Sequence, residues 1–279
     1  MRRLTGSGMQ AADIRLGIIG GGMMAYSIVR GLLAARLLSP ERIVVSDVSA
    51  ERRALFEKSC GIAAASDNLQ AVRRSNVVLL AIKPQGMAGL LAEIRPAAAS
   101  DTLYLSIAAG ITTAALYAGL GSAGRIVRIM PNTAAQVRAS ATAICRGPNA
   151  TDDDLAIARD LFNALGTTVA VDETLMDAVT GLSGSGPAYV YLIIEALADA
   201  GVRNGLARAT ALQLAAQTCA GAARMVLEAG EHPGALKDQV CSPGGTTING
   251  LYRLEKSGVR AALIDAVSAA VARSKELGG

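Results

Sequence analysis

The chain has 279 residues, enough for two modest domains or one large one. Apolar residues make up 51%, sufficient for a substantial core, but aromatics are only 3% and tryptophan is absent, so Ala, Leu, Ile and Val must build that core. The net charge of +4 is mild and the arginines form no basic run beside aromatics, which argues against nucleic acid as a partner and suits an anionic small molecule such as a phosphorylated cofactor.

Residues 1–13 lack periodicity and are expected to be a loose tail. Residues 16–19 read as a buried strand ending in glycines, followed by a helix over 24–38. A second strand at 43–45 ends at Ser46-Asp47, and a helix follows over 50–59. Further buried strands are expected at 77–81, stopped by Lys83-Pro84, at 103–107, stopped by Ala109-Gly110, and at 125–130, before Pro131-Asn132. Two final strands, 141–145 and 167–171, flank a helix over 153–165. Continuous apolar strands alternating with helices predict a parallel sheet covered on both faces.

Strand signals stop near residue 172. Helices are expected over 188–202, 207–229, 233–240, 246–256 and 259–277. The expected organisation is therefore a tail (1–13), a dinucleotide-binding domain (14–172) and a helical substrate-binding and dimerisation domain (173–279). The helical half is rich in Ala and Leu, so it must bury a face against something else, and a homodimer is the expected answer.

No apolar run reaches the roughly 18 residues that a membrane span needs, so no membrane partner is expected. The four cysteines, Cys60, Cys145, Cys219 and Cys241, form no CxxC pair and follow no secretory signal; they read as reduced thiols in a cytoplasmic protein.

Gly20-Gly21-Gly22-Met23-Met24-Ala25 carries the G-x-G-x-x-A form of the dinucleotide turn. Gly20 permits the tight turn, Gly22 the approach of a pyrophosphate, and Ala25 close packing of the helix on the sheet. Asp47 ends the next strand about twenty residues on, where a carboxylate usually receives ribose hydroxyls. Ser46, Ser49, Arg52 and Arg53 offer instead a setting for a 2′-phosphate, which leaves NADH and NADPH both open. Three more strand ends aim at the same crevice: Ala81-Ile82-Lys83-Pro84, Ile107-Ala108-Ala109-Gly110 and Met130-Pro131-Asn132-Thr133.

Two glycine-rich segments lie in the helical half. Gly181-Leu182-Ser183-Gly184-Ser185-Gly186-Pro187 and Ser242-Pro243-Gly244-Gly245-Thr246-Thr247 each run into a helical pattern. Each is expected to present free N–H groups at a helix N-terminus, a seat for a small carboxylate. His232 precedes Pro233 at a helix start and reads as a cap. There is no metal-ligand spacing and no Ser-His-Asp set.

The block Asp177-Ala178-Val179-Thr180-Gly181-Leu182-Ser183-Gly184-Ser185-Gly186-Pro187-Ala188-Tyr189, with Glu231-His232-Pro233 and Asp238-Gln239-Val240-Cys241-Ser242-Pro243-Gly244-Gly245-Thr246-Thr247, resembles the pyrroline-5-carboxylate reductase family. Ala81-Ile82-Lys83-Pro84 and Arg128-Ile129-Met130-Pro131-Asn132-Thr133 support the resemblance, which spans residues 16–277. It implies an α/β fold, an N-terminal Rossmann-like, mostly parallel sheet domain followed by an all-α dimerisation domain. It also implies an interlocked homodimer, often assembled into a decamer. The implied reaction is NAD(P)H-dependent reduction of the imino acid 1-pyrroline-5-carboxylate to L-proline, the last step of proline synthesis. The family generally prefers NADPH, and some members use NADH well.

On this resemblance the cofactor is held by Ile19, Gly20, Gly21, Gly22, Met23, Met24, Ser46, Asp47, Asn68, Ala81, Ile82, Lys83, Ile107, Ala108 and Ala109. The substrate is held by Glu173, Gly244, Gly245, Thr246 and Thr247, with the Thr247 hydroxyl near the ring nitrogen as the catalytic group. Gln239 falls where some relatives carry a cofactor-contacting Asn. A hydroxyacid dehydrogenase would need a Lys or His acid/base partner in the helical half, and Lys237, Lys256, Lys275 and His232 lack the expected setting. A dinucleotide sensor without turnover would need no carboxylate seat.

Overall fold

A computed structural model describes residues 13–278; of the tail expected at 1–13, residues 1–12 lie outside the described residues. Alternation of strand and helix is seen through residue 170. The elements are β1 (Leu16–Ile19), α1 (Met23–Ala34), β2 (Ile43–Ser46), α2 (Ala50–Cys60), β3 (Ala63–Ala65), α3 (Asn68–Arg73), β4 (Val77–Leu80) and α4 (Met87–Ile94). They continue with β5 (Leu103–Ser106), α5 (Thr113–Gly119), β6 (Arg125–Met130), β7 (Ser140–Arg146), α6 (Asp152–Asn163) and β8 (Gly166–Ala170).

The strands form one sheet in the order β3-β2-β1-β4-β5-β6-β7-β8. Every pairing is parallel except β6 with β7. The sheet is thus mostly parallel, as expected, with one antiparallel pair. Only a 3₁₀ turn (Thr133–Val137) joins these two strands, with no crossover helix to carry the chain back to the starting edge. A chain with so short a link must run back antiparallel.

Successive strand residues face opposite layers, as the pleat requires. Leu79 and Leu105 pack with Ile28, Leu32, Phe56 and Leu161 on one face. Leu80 and Tyr104 pack with Val72, Leu90, Leu91 and Leu116 on the other. The helix expected over 24–38 stops at Ala34, because Arg36 turns left-handed (φ 53°) and the Leu37 N–H closes back on the Leu32 carbonyl.

Beyond β8 lie α7 (Met176–Val179), α8 (Gly186–Arg203), α9 (Arg208–Ala229), α10 (Pro233–Gln239), α11 (Thr246–Lys256) and α12 (Val259–Gly278). The chain forms two compact units: residues up to Ser185 with those from Ala270 onward, and Gly186–Ala269. This division falls later than the change of sequence texture at 172. Residues just after 172 are tied into the first unit: Met176 is buried with Ala143 and Cys145 of β7, and Asp177 accepts a hydrogen bond from Ser274 of the C-terminal helix at 2.7 Å.

In the second unit α8 packs on α9 through Ala198, Ala211 and Ala215. A Cβ on Gly201 would lie 2.9 Å from the Ala211 Cβ, so the two backbones approach closely. So small a core leaves large apolar side chains uncovered, among them Tyr191, Leu192, Leu214, Leu227, Tyr252 and Ile264. An apolar surface of that extent marks an association face. Among the described residues no helix is long and apolar enough to cross a membrane.

Candidate active site

β1 pairs with β2 on one side and β4 on the other, so the strand order reverses there and a crevice opens at the carboxyl ends. The ladder continues past those ends. Gly20 N–H donates to the Ser46 carbonyl, Ala81 N–H to Ile19, and Ile107 N–H to Leu80. The three expected strand ends are thereby held side by side.

Gly20 adopts φ +99°, and a Cβ there would meet the Ala81 carbonyl oxygen at 2.7 Å, so glycine is required. Gly22 is different: a Cβ would meet only Arg52 Nη1, at 3.4 Å. Its lack of a side chain serves open space above the turn. α1 begins at Met23 with no side-chain cap and no acidic residue in its first turn. Its N–H groups and positive dipole end therefore face outward, as a pyrophosphate needs. A cleft of about 610 Å³ opens beside this turn, lined by Gly21, Met23, Ser49, Arg52, Leu55 and Lys58. Open glycine, bare helix start and a cleft lined by Arg52 and Lys58 with one acid, Glu51, fit a phosphorylated dinucleotide.

Asp47 faces the turn itself. Its Oδ2 accepts from Gly21 N–H at 2.7 Å and its Oδ1 from Ser49 N–H at 2.8 Å. Arg53 donates to the Asp47 carbonyl at 2.7 Å, and Arg52 Nη1 to the Gly21 carbonyl at 3.3 Å. Asp47 thus clamps the glycine turn, with both arginines beside it. Ser46 Oγ donates to Asn68 Oδ1 at 2.7 Å, and Asn68 Nδ2 reaches Glu93 Oε2 at 3.1 Å. Ile19 and Ala108 are buried, Met24, Ile82, Ile107 and Ala109 are half-buried, and Met23 and Lys83 are exposed. Lys58 escaped notice in the sequence. It lies on the face of α2 that carries Arg52 and Leu55, a three-residue spacing that could have revealed it.

The segment at 181–186 departs from expectation. Thr180–Gly184 form a π-helical turn that continues α7, and Ser185 N–H bonds the Thr180 carbonyl at 2.9 Å. α8 then begins at Gly186, so the segment passes from the π-helical turn almost directly into the next helix. A Cβ on Gly184 would lie 2.6 Å from Met130 Cε, so that glycine serves packing.

The second glycine segment leads into a helix start, as expected. Gly244 takes φ +68°, and Gly245 N–H closes a turn on the Ser242 carbonyl at 3.0 Å. A Cβ on Gly245 would fall on Ser242 Oγ, at 2.1 Å. Gly245 is the N-cap of α11, which has no side-chain cap and no acid in its first turn. The hydroxyls of Thr246 and Thr247 are therefore not spent on capping, and the N–H groups remain available to an anion. Asn249 Nδ2 steadies the loop from behind, bonding the Gly245 carbonyl at 2.9 Å. His232 is the N-cap of α10, its Nδ1 accepting from Gly234 N–H at 3.0 Å. Gln239 Nε2 donates to Glu231 at 2.8 Å. Glu173 lies in the first unit, and both its carboxylate oxygens have partners there, Thr113 and Arg128.

A mostly parallel sheet with an open glycine turn at its switch point, joined to a helical unit with an uncapped helix start, fits the class of dinucleotide-dependent oxidoreductases. Residues 173–277 match the family described as pyrroline-5-carboxylate reductase dimerisation, and residues 15–110 match that described as NADP oxidoreductase, coenzyme F420-dependent. The chain is 47% identical to the pyrroline-5-carboxylate reductase of Methanosarcina acetivorans, over 95% of this chain and 98% of that protein. A solved pyrroline-5-carboxylate reductase from Coxiella burnetii superposes with a TM-score of 0.89 at 40% identity, covering 95% of this chain and 99% of that one. A Plasmodium falciparum pyrroline carboxylate reductase solved with NADP bound gives 0.86 at 35% identity, covering 96% and 99%. The chain belongs to the pyrroline-5-carboxylate reductase family.

Proposed function

We infer that this protein reduces 1-pyrroline-5-carboxylate to L-proline with NADPH, NADH being the alternative donor. Near-full-length likeness to reductases of that name carries the reaction. When bound, the cofactor supplies a hydride to the imine carbon. The chain's own residues bind and orient. Met23, Met24 and their neighbours receive the pyrophosphate, with Gly20, Gly21, Gly22, Ser46, Asp47 and Asn68 shaping the adenosine side. Ile19, Ala81, Ile82, Lys83, Ile107, Ala108 and Ala109 line the nicotinamide side.

The N–H groups after Gly244, from Gly245 to Thr247, take the substrate carboxylate. The Thr247 hydroxyl holds the ring nitrogen and is the assigned catalytic group. Glu173 is assigned to the substrate on the family resemblance. A cyclic imine is protonated readily in solution, so orientation matters more than a strong general acid.

The functional division is a dinucleotide-binding domain over 14–172 and a substrate and dimerisation domain over 173–279. A cytoplasmic homodimer, further assembled into a decamer, completes the proposal; four free thiols suit a reducing compartment.

The test is steady-state oxidation of NADPH, and separately NADH, with 1-pyrroline-5-carboxylate, and proline measured as product. Imine-dependent turnover is expected. Folded protein that binds dinucleotide yet shows no turnover with either cofactor would overturn the assignment.

A further inference from the structure

Asn68 is the first residue of α3, and its side-chain amide bridges two other elements. Ser46 Oγ, at the end of β2, donates to Asn68 Oδ1 at 2.7 Å. Asn68 Nδ2 donates in turn to Glu93 Oε2, on α4, at 3.1 Å. The three groups form a chain with one direction: hydroxyl to amide oxygen, then amide nitrogen to carboxylate. Helix α3 does not need this side chain for its start, because Asp67 already caps it by accepting from Leu69 N–H at 2.8 Å.

The carboxylate sets the direction of the chain. The two ends of an asparagine amide have nearly the same shape, and only their hydrogen bonds distinguish them. A hydroxyl can serve either end, so Ser46 by itself makes no choice; its other acceptor, the Ile18 carbonyl, lies at 3.4 Å. An ionised carboxylate only accepts, so Glu93 draws the amide nitrogen to itself and turns the oxygen to Ser46. Ser46 is fully buried, Asn68 half-buried and Glu93 exposed, so the serine can act on a ligand only through Asn68. With one N–H given to Glu93 and one lone pair taken by Ser46, Asn68 keeps a second N–H and a second lone pair. A donor and an acceptor side by side match sugar hydroxyls or the edge of an adenine, which also donate and accept.

We propose that Glu93 is a positioning residue for the cofactor: by fixing the polarity of the Asn68 amide, it presents the free donor and acceptor of Asn68 to the adenosine half of the dinucleotide. This rests on the dinucleotide role of the crevice and on the place of Asn68 in it. A positioning role and a bare charge differ in sign. An anion beside a site for a phosphorylated ligand repels it, so removing a bare charge would tighten binding. Removing a positioning residue loosens it.

The test titrates the full chain with NADPH and with ADP-ribose, which carries the adenosine half alone, in the absence of imine. The proteins are the parent, Glu93→Ala, Glu93→Gln, Asn68→Ala and the double variant Glu93→Ala/Asn68→Ala, with a melting curve for each. Affinity for NADPH is expected to fall about fivefold in Glu93→Ala, the scale of one lost hydrogen bond, and affinity for ADP-ribose by the same factor. Glu93→Gln still offers an acceptor and should lie between that variant and the parent. The melting temperature of the Glu93 variants should stay within about 2 °C of the parent, because the side chain is exposed. The double variant should bind no worse than Asn68→Ala, because Glu93 acts only through Asn68. Tighter binding of NADPH by Glu93→Ala would make Glu93 a bare charge and overturn the proposal. Unchanged affinity for either ligand would overturn it equally, as would a loss in the double variant beyond that of Asn68→Ala. Asn68→Ala that binds as the parent does would remove Asn68 from the cofactor site and the proposal with it. A parent protein that binds no dinucleotide would sink the cofactor reading itself.

Discussion

Asn132 Nδ2 donates to the Ser183 carbonyl at 3.1 Å. In an α-helix that carbonyl would accept from the N–H four residues on, but residue 187 is proline and has none. Asn132 supplies the missing donor. Its Oδ1 meanwhile accepts from Ala134 N–H at 3.1 Å, and its own N–H donates to Ser140 Oγ at 3.1 Å. One amide thereby ties the end of β6 to the π-helical turn at Thr180–Gly184.

Asn132→Asp keeps the Ala134 cap but sets a carboxylate oxygen against the Ser183 carbonyl. A loss of about 1–3 kcal/mol is expected, the cost of an unmet buried polar group with repulsion added. Thermal unfolding of the variant beside Asn132→Ala measures it; equal stability of parent and both variants would show the tie to be inert.

Gly20 and Gly22 should separate fold from binding. Gly20→Ala forces a side chain into φ +99° against the Ala81 carbonyl and should destabilise by about 1–3 kcal/mol. Gly22→Ala meets no backbone and keeps an allowed φ of −69°, so stability should shift by less than about 0.5 kcal/mol. Its dinucleotide Kd should nonetheless rise about tenfold or more, as the methyl occupies the approach of the pyrophosphate. Titration with NADPH and a melting curve on the same sample decide this; unchanged affinity would place the cofactor elsewhere.

Arg52 should set the choice of cofactor. It lines the cleft beside Gly21, while Asp47 is turned to the backbone N–H groups of Gly21 and Ser49. Arg52→Ala should raise the KM for NADPH about tenfold and leave that for NADH within about twofold, because only the former carries the extra phosphate. An equal rise for both would assign Arg52 to the turn alone.

Thr247→Ala should lower kcat for imine reduction by about tenfold or more, through lost orientation of the ring nitrogen. Affinity for NADPH should stay at the parent value. Wild-type kinetics in this variant would remove the assignment.

Stability should fall on the alkaline side. Burial pushes the Cys145 thiol up from 9.0 to about 11, with Glu173 adding to it, and burial pushes the Tyr104 hydroxyl up from 10.0 to about 12. The unfolded chain releases both protons near the ordinary values, before the folded chain does. Both contributions are therefore fully present below about pH 9 and are lost as pH rises toward the folded values. Melting curves from neutral pH upward should decline from about pH 9, and Cys145→Ala should blunt the first part of that decline. A flat profile would contradict it.

The elements legible in the sequence are those specified by neighbouring residues. β1 and β4 were plain as continuous apolar runs, and α11 was read with its observed limits. His232 capping α10 ahead of Pro233 follows from local sterics and one side-chain acceptor. Gly20 needs positive φ whatever lies far away in the chain. β3, three alanines, carries no strand propensity and exists because β2 offers a free edge. The π turn held by Asn132 and the grip of Glu173 on Thr113 were invisible. Each joins residues distant in sequence, and such pairing leaves no periodicity and no spacing to read. Local backbone chemistry determined which segments are strands, helices and open glycine turns; only three-dimensional packing decided which side chains hold those turns in place.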